Sequence, residues 1–108
     1  MSTTQASTAR GLLDMLVSER DFAQLVVDFA QLRGWRVYRT WNSRHSPEGF
    51  PDLVAVRAGR LVVAELKTTR GKLSAAQQDW ANALAQTTGC EYFTWRPSDW
   101  DEIEETLK

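Results

Sequence analysis

The sequence has little of what most familiar catalytic chemistry needs. Its 108 residues include one cysteine, Cys90, and one histidine, His45. A single cysteine excludes an internal disulfide and any zinc centre built on two or more thiolates. A single histidine excludes a His-x-x-x-His metal helix. A Ser-His-Asp triad would have to use His45, yet no Gly-x-Ser-x-Gly elbow is present. Neither a Gly-x-x-x-x-Gly-Lys phosphate loop nor a Gly-x-Gly-x-x-Gly turn occurs. Apolar runs are short. Leu61 to Ala64 is among the longest and falls far below the roughly 20 residues that a bilayer demands. Leu12 to Val17 is too short for a signal-peptide core and is broken by Asp14. The expectation is a cytoplasmic protein, bacterial or from a phage-infected cell, with no membrane partner. Any catalysis falls to carboxylates and lysine.

What is present is an ordinary globular composition, 43% hydrophobic and 25% charged. The length suits one small domain. Residues 18–108 are expected to form it, with residues 1–17 a tail or arm. The net charge of −1 conceals a segregation. Asp99 to Lys108 holds five acids and one lysine. Between Arg33 and Lys72 lie nine cations (Arg33, Arg36, Arg39, Arg44, Arg57, Arg60, Lys67, Arg70 and Lys72) against three acids, Glu48, Asp52 and Glu65. Such a local surplus is the electrostatic footprint of a phosphate-binding face, or else a solvated surface of arginines.

Periodicity predicts the elements. Ser18 caps a helix running to about Leu32, with Phe22, Leu25, Val26 and Phe29 as its buried stripe and Gly34 past its end. Trp35 to Thr40 reads as a strand, and Trp41 to Phe50 as a ten-residue loop. Leu53–Arg57 and Leu61–Lys67 read as strands joined through Gly59-Arg60. A basic loop, Thr68 to Leu73, precedes a helix capped by Ser74 and running to about Thr87, with Trp80, Ala83, Leu84 and Thr87 turned inward. Cys90 to Trp95 is a fourth strand. Ser98 or Asp99 caps a last helix ending near Leu107. The order implies an α/β fold: an αβββαβ core with a mixed four-stranded sheet flanked by helices. Trp35, Trp80 and Trp95 read as core; Trp41 and Trp100 are the two that could stack on a base or a partner chain, with burial the favoured reading for both.

The informative stretch is Gly49-Phe50-Pro51-Asp52-Leu53 followed by Glu65-Leu66-Lys67. Strand side chains alternate, so Glu65 and Lys67 point the same way. With Gly59-Arg60 at the centre of a type II′ turn, Asp52 faces Lys67, Val54 faces Glu65, and all three charged groups share one face. A three-residue loop would send Asp52 to the other side. Two carboxylates and an ammonium at a strand end suit phosphodiester hydrolysis. Oxygen ligands from Asp52 and Glu65 fit a hard cation, Mg²⁺ with Mn²⁺ as substitute. Lys67 would orient or deprotonate the attacking water, or offset charge on the phosphate. The bland alternative is a surface ion pair between Glu65 and Lys67.

The ordered set of Ser18-Glu19-Arg20-Asp21-Phe22, Gly34-Trp35, Gly49-Phe50-Pro51-Asp52-Leu53, Glu65-Leu66-Lys67 and Leu73-Ser74-Ala75-Ala76-Gln77 resembles the VRR-NUC (virus-type replication-repair nuclease) domain of the PD-(D/E)xK nuclease superfamily. The resemblance covers residues 18–97. It implies a restriction-endonuclease-like fold and a metal-dependent DNA endonuclease, similar to Holliday-junction resolvases and acting as a homodimer on branched or structured DNA. It implies Asp52 and Glu65 as metal ligands, Lys67 as catalytic lysine, a helix carboxylate completing the metal site, and Gln77 near it. Glu19 and Asp21 both qualify as the helix carboxylate by type. Glu19 lies nearer the buried stripe and is the reading adopted, whereas Asp21 has a cap role open to it. Gln77 also fits a capping box with Ser74, a role compatible with the first because helix N-termini bind phosphate. Arg44, His45, Arg70 and Lys72 are candidates to hold DNA. The alternative to an enzyme is a non-catalytic DNA-binding module on the same fold.

Overall fold

A computed structural model describes residues 17–40, 47–68 and 70–108. Helix α1, Glu19–Leu32, begins where the Ser18 hydroxyl accepts from the Asp21 amide at 3.0 Å. It buries Phe22, Ala23, Val26, Val27 and Ala30. The expected stripe is therefore rotated. Ala23 and Ala30 let the helix lie close to the sheet, and Leu25 is turned away, 48% exposed. Phe29 is only partly buried and packs edge-on against Trp100, ring centroids 5.6 Å apart.

Strands β1 (Arg36–Arg39), β2 (Leu53–Arg57), β3 (Arg60–Leu66) and β4 (Cys90–Trp95) form one sheet in chain order. The first three are antiparallel, and β4 runs parallel to β3. The parallel step is made through helix α2, Ala75–Ala85, which packs along β4. A 3-10 turn, Pro97–Asp99, leads into helix α3, Trp100–Leu107. The N-cap of α3 is Asp99, whose side chain makes no cap hydrogen bond to the helix. Asp99 Oδ2 instead accepts from the Arg96 amide at 2.8 Å. The mixed four-stranded sheet flanked by helices is the expected architecture.

The β2–β3 turn differs from the expectation. Its centre is Ala58-Gly59, with φ of +49° and +82°, both left-handed. That is a type I′ turn, whose twist matches the strands it joins. Arg60 therefore enters β3 opposite Arg57, and Val54 faces Val63 instead of Glu65. The slip is by an even number of facing positions, so side-chain parity survives. Continued by one step, the register sets Asp52 across from Glu65 rather than Lys67, still on the same face.

The core lies on the other face. Leu53, Ala55, Val62, Ala64 and Leu66 pack with Phe22, Val26 and Ala30 of α1 and with Ile103 and Leu107 of α3. Trp95 and Trp35 complete it. Val63 and Ala81 are buried outside this cluster, with Val63 on the pleat that faces α2. The inward stripe of α2 is thinner than expected. Ala81 is its one buried residue, Trp80 and Leu84 are half-buried, and Ala83 and Thr87 are exposed. The helix stops at Ala85, and the Thr87 hydroxyl turns back to the Ala83 carbonyl at 2.9 Å.

Two arginines of the basic stretch serve the fold instead of presenting a phosphate-binding surface. Arg57 and Arg60 hold their guanidinium carbons 4.6 and 5.1 Å from the Trp35 ring. Arg57 donates to the carbonyls of Arg33 (2.7 Å) and Lys108 (2.6 Å), closing the C-terminal ends of α1 and α3. Arg60 donates to the Thr106 carbonyl at 3.0 Å and clasps Glu91 through two bonds of 2.8 and 2.7 Å. The Trp35 indole donates to the Leu107 carbonyl at 2.8 Å.

Candidate active site

The end of the sheet away from the Ala58-Gly59 turn gathers the charged residues singled out in the sequence. Asp52 is placed by the loop before it. Gly49 has φ +86°, and a Cβ there would lie 2.5 Å from the Ala76 carbonyl carbon and 2.7 Å from the Gln77 nitrogen. Only glycine lets the loop seat on the first turn of α2. Phe50 then packs edge-on against Trp80, centroids 5.0 Å apart. Pro51 is fully buried, and its carbonyl accepts from the Thr40 hydroxyl at 2.8 Å. The Thr40 amide donates to the Asp52 carbonyl at 2.8 Å, extending the β1–β2 ladder. Asp52 Oδ2 accepts from the Leu66 amide at 2.9 Å, which pins the carboxylate against the end of β3. The Gly-Phe-Pro-Asp run is thus a seat, a wedge, a stiff link and the acid it delivers.

Glu65 sits one residue before that amide. It is 2% exposed, the one charged side chain buried among the described residues. Its Oε2 has no hydrogen-bond partner. Burial, then the hydrogen bond to Asp52 and that residue's charge, push the Glu65 carboxyl up to about 9, against an opposing pull from Lys67 and with a further push from Glu19. Lys67 follows the end of β3, and its amide donates to the Trp95 carbonyl at 2.9 Å. Its side chain is 12% exposed and brings Nζ to 4.0 Å from Glu19 Oε1 on α1. Glu19, Arg20, Ala23, Arg39, Thr40, Asp52 and Leu66 line a cleft of ≈ 310 Å³. Asp21 lines a separate cleft with Val17, Gln24 and Leu25. The structure therefore brings Asp52, Glu65, Lys67 and Glu19 together, and leaves Asp21 outside.

The remaining candidates fall differently. Gln77 is spent on the cap. Its Oε1 accepts from the Ser74 amide at 2.9 Å while its own amide donates to Ser74 Oγ at 3.1 Å. The side-chain amino group stays available at the helix end where Gly49 is seated. Arg70 and Lys72 stand in the segment after Lys67, with Arg70 and Lys72 both exposed. Arg44, His45 and Trp41 lie outside the described residues. Trp100 is partly buried against the core and does not present itself for stacking.

Three features escaped the sequence reading. Arg20 and Arg39 line the cleft, a juxtaposition that depends on how α1 crosses β1. Tyr92 faces the same side as Glu65, since it pairs with Val63 while Thr94 pairs with Glu65. Its hydroxyl lies 3.0 Å from Thr94 Oγ1. Burial, joined by the charges of Glu65 and Asp52, raises the Tyr92 phenol against the pull of that bond. Alternation along β4 was the signal that would have found it.

Two carboxyls forced together in a dry site need a proton or a cation between them. The partnerless Glu65 oxygen, on a carboxyl hydrogen-bonded to Asp52, suits a hard divalent ion in its chemistry. Among the described residues, no three ligand side chains of His, Cys, Asp and Glu converge closely enough to form a closed metal cage. Glu19 stands off, engaged with Lys67.

Compared with known families, residues 17–86 match the model described as archaeal Holliday junction resolvase (Hjc), a PD-(D/E)xK nuclease-like family. No curated protein and no solved structure matches the chain significantly. The match spans the seat, the carboxylate pair, the lysine and the capped helix, and its restriction-endonuclease-like fold agrees with the sheet described above. With well over half its length inside that match, the chain belongs to the archaeal Holliday junction resolvase family.

Proposed function

We propose that this chain is a divalent-cation-dependent endonuclease that hydrolyses phosphodiester bonds in branched DNA, working as a homodimer. One observation carries the reading. Glu65 is buried beside Asp52 with an oxygen left unpartnered, and Lys67 closes the group. A folded core ordinarily excludes such an arrangement, because it is stable only when positive charge arrives. Family membership supports a resolvase-like nuclease that binds branched DNA. The narrower placement among VRR-NUC domains rests on the Gly49–Leu53, Glu65–Lys67 and Leu73–Gln77 motifs.

Asp52 and Glu65 would hold Mg²⁺ or Mn²⁺, with Glu19 completing the site once it leaves Lys67. The ion supplies charge neutralisation at the phosphate and makes water a competent nucleophile at neutral pH. The chain's own residues do the rest. The Leu66 amide orients Asp52. Lys67, released from Glu19, aligns the attacking water and offsets charge as it builds on the phosphate. The free amino group of Gln77 and the first turn of α2 face the DNA backbone beside the cut. Arg70 and Lys72 carry the flanking phosphates, with Arg44 and His45 on the loop before Asp52.

The test is cleavage of four-way, flap and plain duplex DNA, with and without Mg²⁺. Cutting of the branched substrates should need the ion and disappear in Asp52→Ala and Lys67→Ala. Metal-dependent nicking that survives Asp52→Ala overturns the reading. The absence of a closed ligand trio among the described residues favours a second reading, a DNA-binding module that does not cut. Tight junction binding without turnover in either Mg²⁺ or Mn²⁺ would select it.

A further inference from the structure

Arg96 immediately follows β4, ten residues beyond the family match. Its backbone is fixed by Asp99. The Arg96 amide donates to Asp99 Oδ2 at 2.8 Å and the Asp99 amide donates to the Arg96 carbonyl at 2.8 Å. From this footing the side chain crosses to the segment after Lys67. Nη1 donates to the Thr68 carbonyl and, at 2.7 Å, to the Gly71 carbonyl. The Gly71 amide also closes onto the Thr68 carbonyl at 3.1 Å. Both ends of a tight turn are therefore held by one guanidinium, and that turn carries Arg70.

The same clamp bears on the lysine. A Cβ added at Gly71 would stand 3.2 Å from Lys67 Cδ, so the backbone of Gly71 already forms a wall against the Lys67 stem. The Lys67 amide is bonded to the Trp95 carbonyl, one residue before Arg96. Register and clamp act on one short stretch of chain, bounded by the catalytic lysine on one side and Lys72 on the other. A guanidinium suits the task, since it stays charged at any accessible pH and offers several donors in a rigid plane.

We infer that Arg96 is a positioning residue. It presents the segment bearing Arg70 and Lys72 to the DNA backbone and braces Lys67, without touching DNA itself. The inference rests on the nuclease reading, but it concerns binding and is tested without any metal. Loops of this kind otherwise lose affinity by having to be ordered at the moment of binding. A preset turn removes that cost.

The experiment measures binding of the full chain to a fluorescent four-way junction in EDTA across a salt series. It compares wild type, Arg96→Ala, the pair Arg70→Ala/Lys72→Ala, and the triple variant. Arg96→Ala should weaken binding about tenfold and lower the slope of log affinity against log salt by about 1 to 2. The triple variant should bind no more weakly than the pair, because Arg96 acts through those two cations. Hydrogen exchange at the Gly71 amide should quicken in Arg96→Ala, while exchange in β2 and β3 stays as in wild type. Losses that multiply in the triple variant overturn the inference, since they mean direct contact with DNA or general damage. So does unchanged affinity in Arg96→Ala. Should Arg96→Ala fail to fold, Arg96→Lys, which keeps the charge but not the plane, carries the same cycle. Wild type that binds no DNA refutes the nuclease reading itself and takes this inference with it.

Discussion

The two ends of one sheet treat charge in opposite ways. At the Ala58-Gly59 end, Arg57, Arg60 and Glu91 have found partners in one another, in the Trp35 ring and in the carbonyls that end α1 and α3. At the other end, Glu65 is buried with a bare oxygen, Asp52 is pressed against it, and Glu19 only approaches Lys67 at 4.0 Å. Both ends set acids and cations on or beside strands β2 and β3. One end has spent its charges on the fold, and the other keeps a buried carboxylate oxygen without a hydrogen-bond partner. The cations of the middle of the sequence thus divide: Arg57 and Arg60 are spent on the fold, whereas Lys67, Arg70 and Lys72 are among those we propose for the DNA side.

The largest effects should come from the unsatisfied end. Asp52→Ala and Lys67→Ala should each lower cleavage of a four-way junction by about 10²- to 10⁴-fold, with thermal stability changed little. Single-turnover rates beside melting curves check this. A parallel loss of stability would erase the contrast between the ends. Next comes the satisfied end. Trp35, 3% exposed and clasped by two arginines, should cost about 3–5 kcal/mol on truncation to alanine, read by urea unfolding, with the rate per folded molecule unchanged.

Acidity should separate the ends by sign. The folded chain prefers Glu65 protonated. As pH climbs from 4.5 toward about 9, the unfolded chain loses this proton first and stability falls. Glu65→Gln should therefore raise metal-free stability at pH 7, by on the order of 3 kcal/mol, while abolishing cleavage. Wild type should regain part of that stability when Mg²⁺ is added. Glu91 behaves in reverse. The Arg60 hydrogen bonds hold its carboxyl below the usual carboxylate range, so its contribution is present above that range and vanishes as pH drops through it. The pair is more than a third exposed, and Glu91→Gln should cost no more than about 1 kcal/mol at neutral pH, less in high salt. Melts at pH 4, 7 and 9 in EDTA distinguish the two slopes.

Much of this is legible in the sequence. Strand alternation put Glu65 and Lys67 on one side, and the cap residues Ser18 and Ser74 marked both long helices where they begin. The sequence places the turn wrongly because glycine at position 59 suits the first central residue of a II′ turn. Ala58 adopts positive φ in its place, a conformation that alanine does not advertise. The shared face of Asp52 and Glu65 survived that error only because the slip was even. The rotated stripe of α1 escaped for a different reason. Alanine contributes little to an apolar pattern, yet Ala23 and Ala30 decide which side meets the sheet. The clasp of Arg57 and Arg60 on Trp35 joins positions that have no local relationship, and no periodicity reports it. The bare oxygen of Glu65 is likewise a property of packing in three dimensions.

Gly49 carries a consequence for how the protein comes to exist. Its seat is the backbone of Ala76 and Gln77, which follow every acid of the centre in the chain. A polypeptide that has emerged from the ribosome only as far as Leu73 owns Glu19, Asp52, Glu65 and Lys67, and the Leu66 amide that donates to Asp52, but it lacks the helix turn on which the loop before Asp52 sits. The loop that delivers Asp52 stays unseated until the crossover helix docks, although α1 and the first three strands are already in hand. Gly49→Ala would leave the finished protein in that same unready condition.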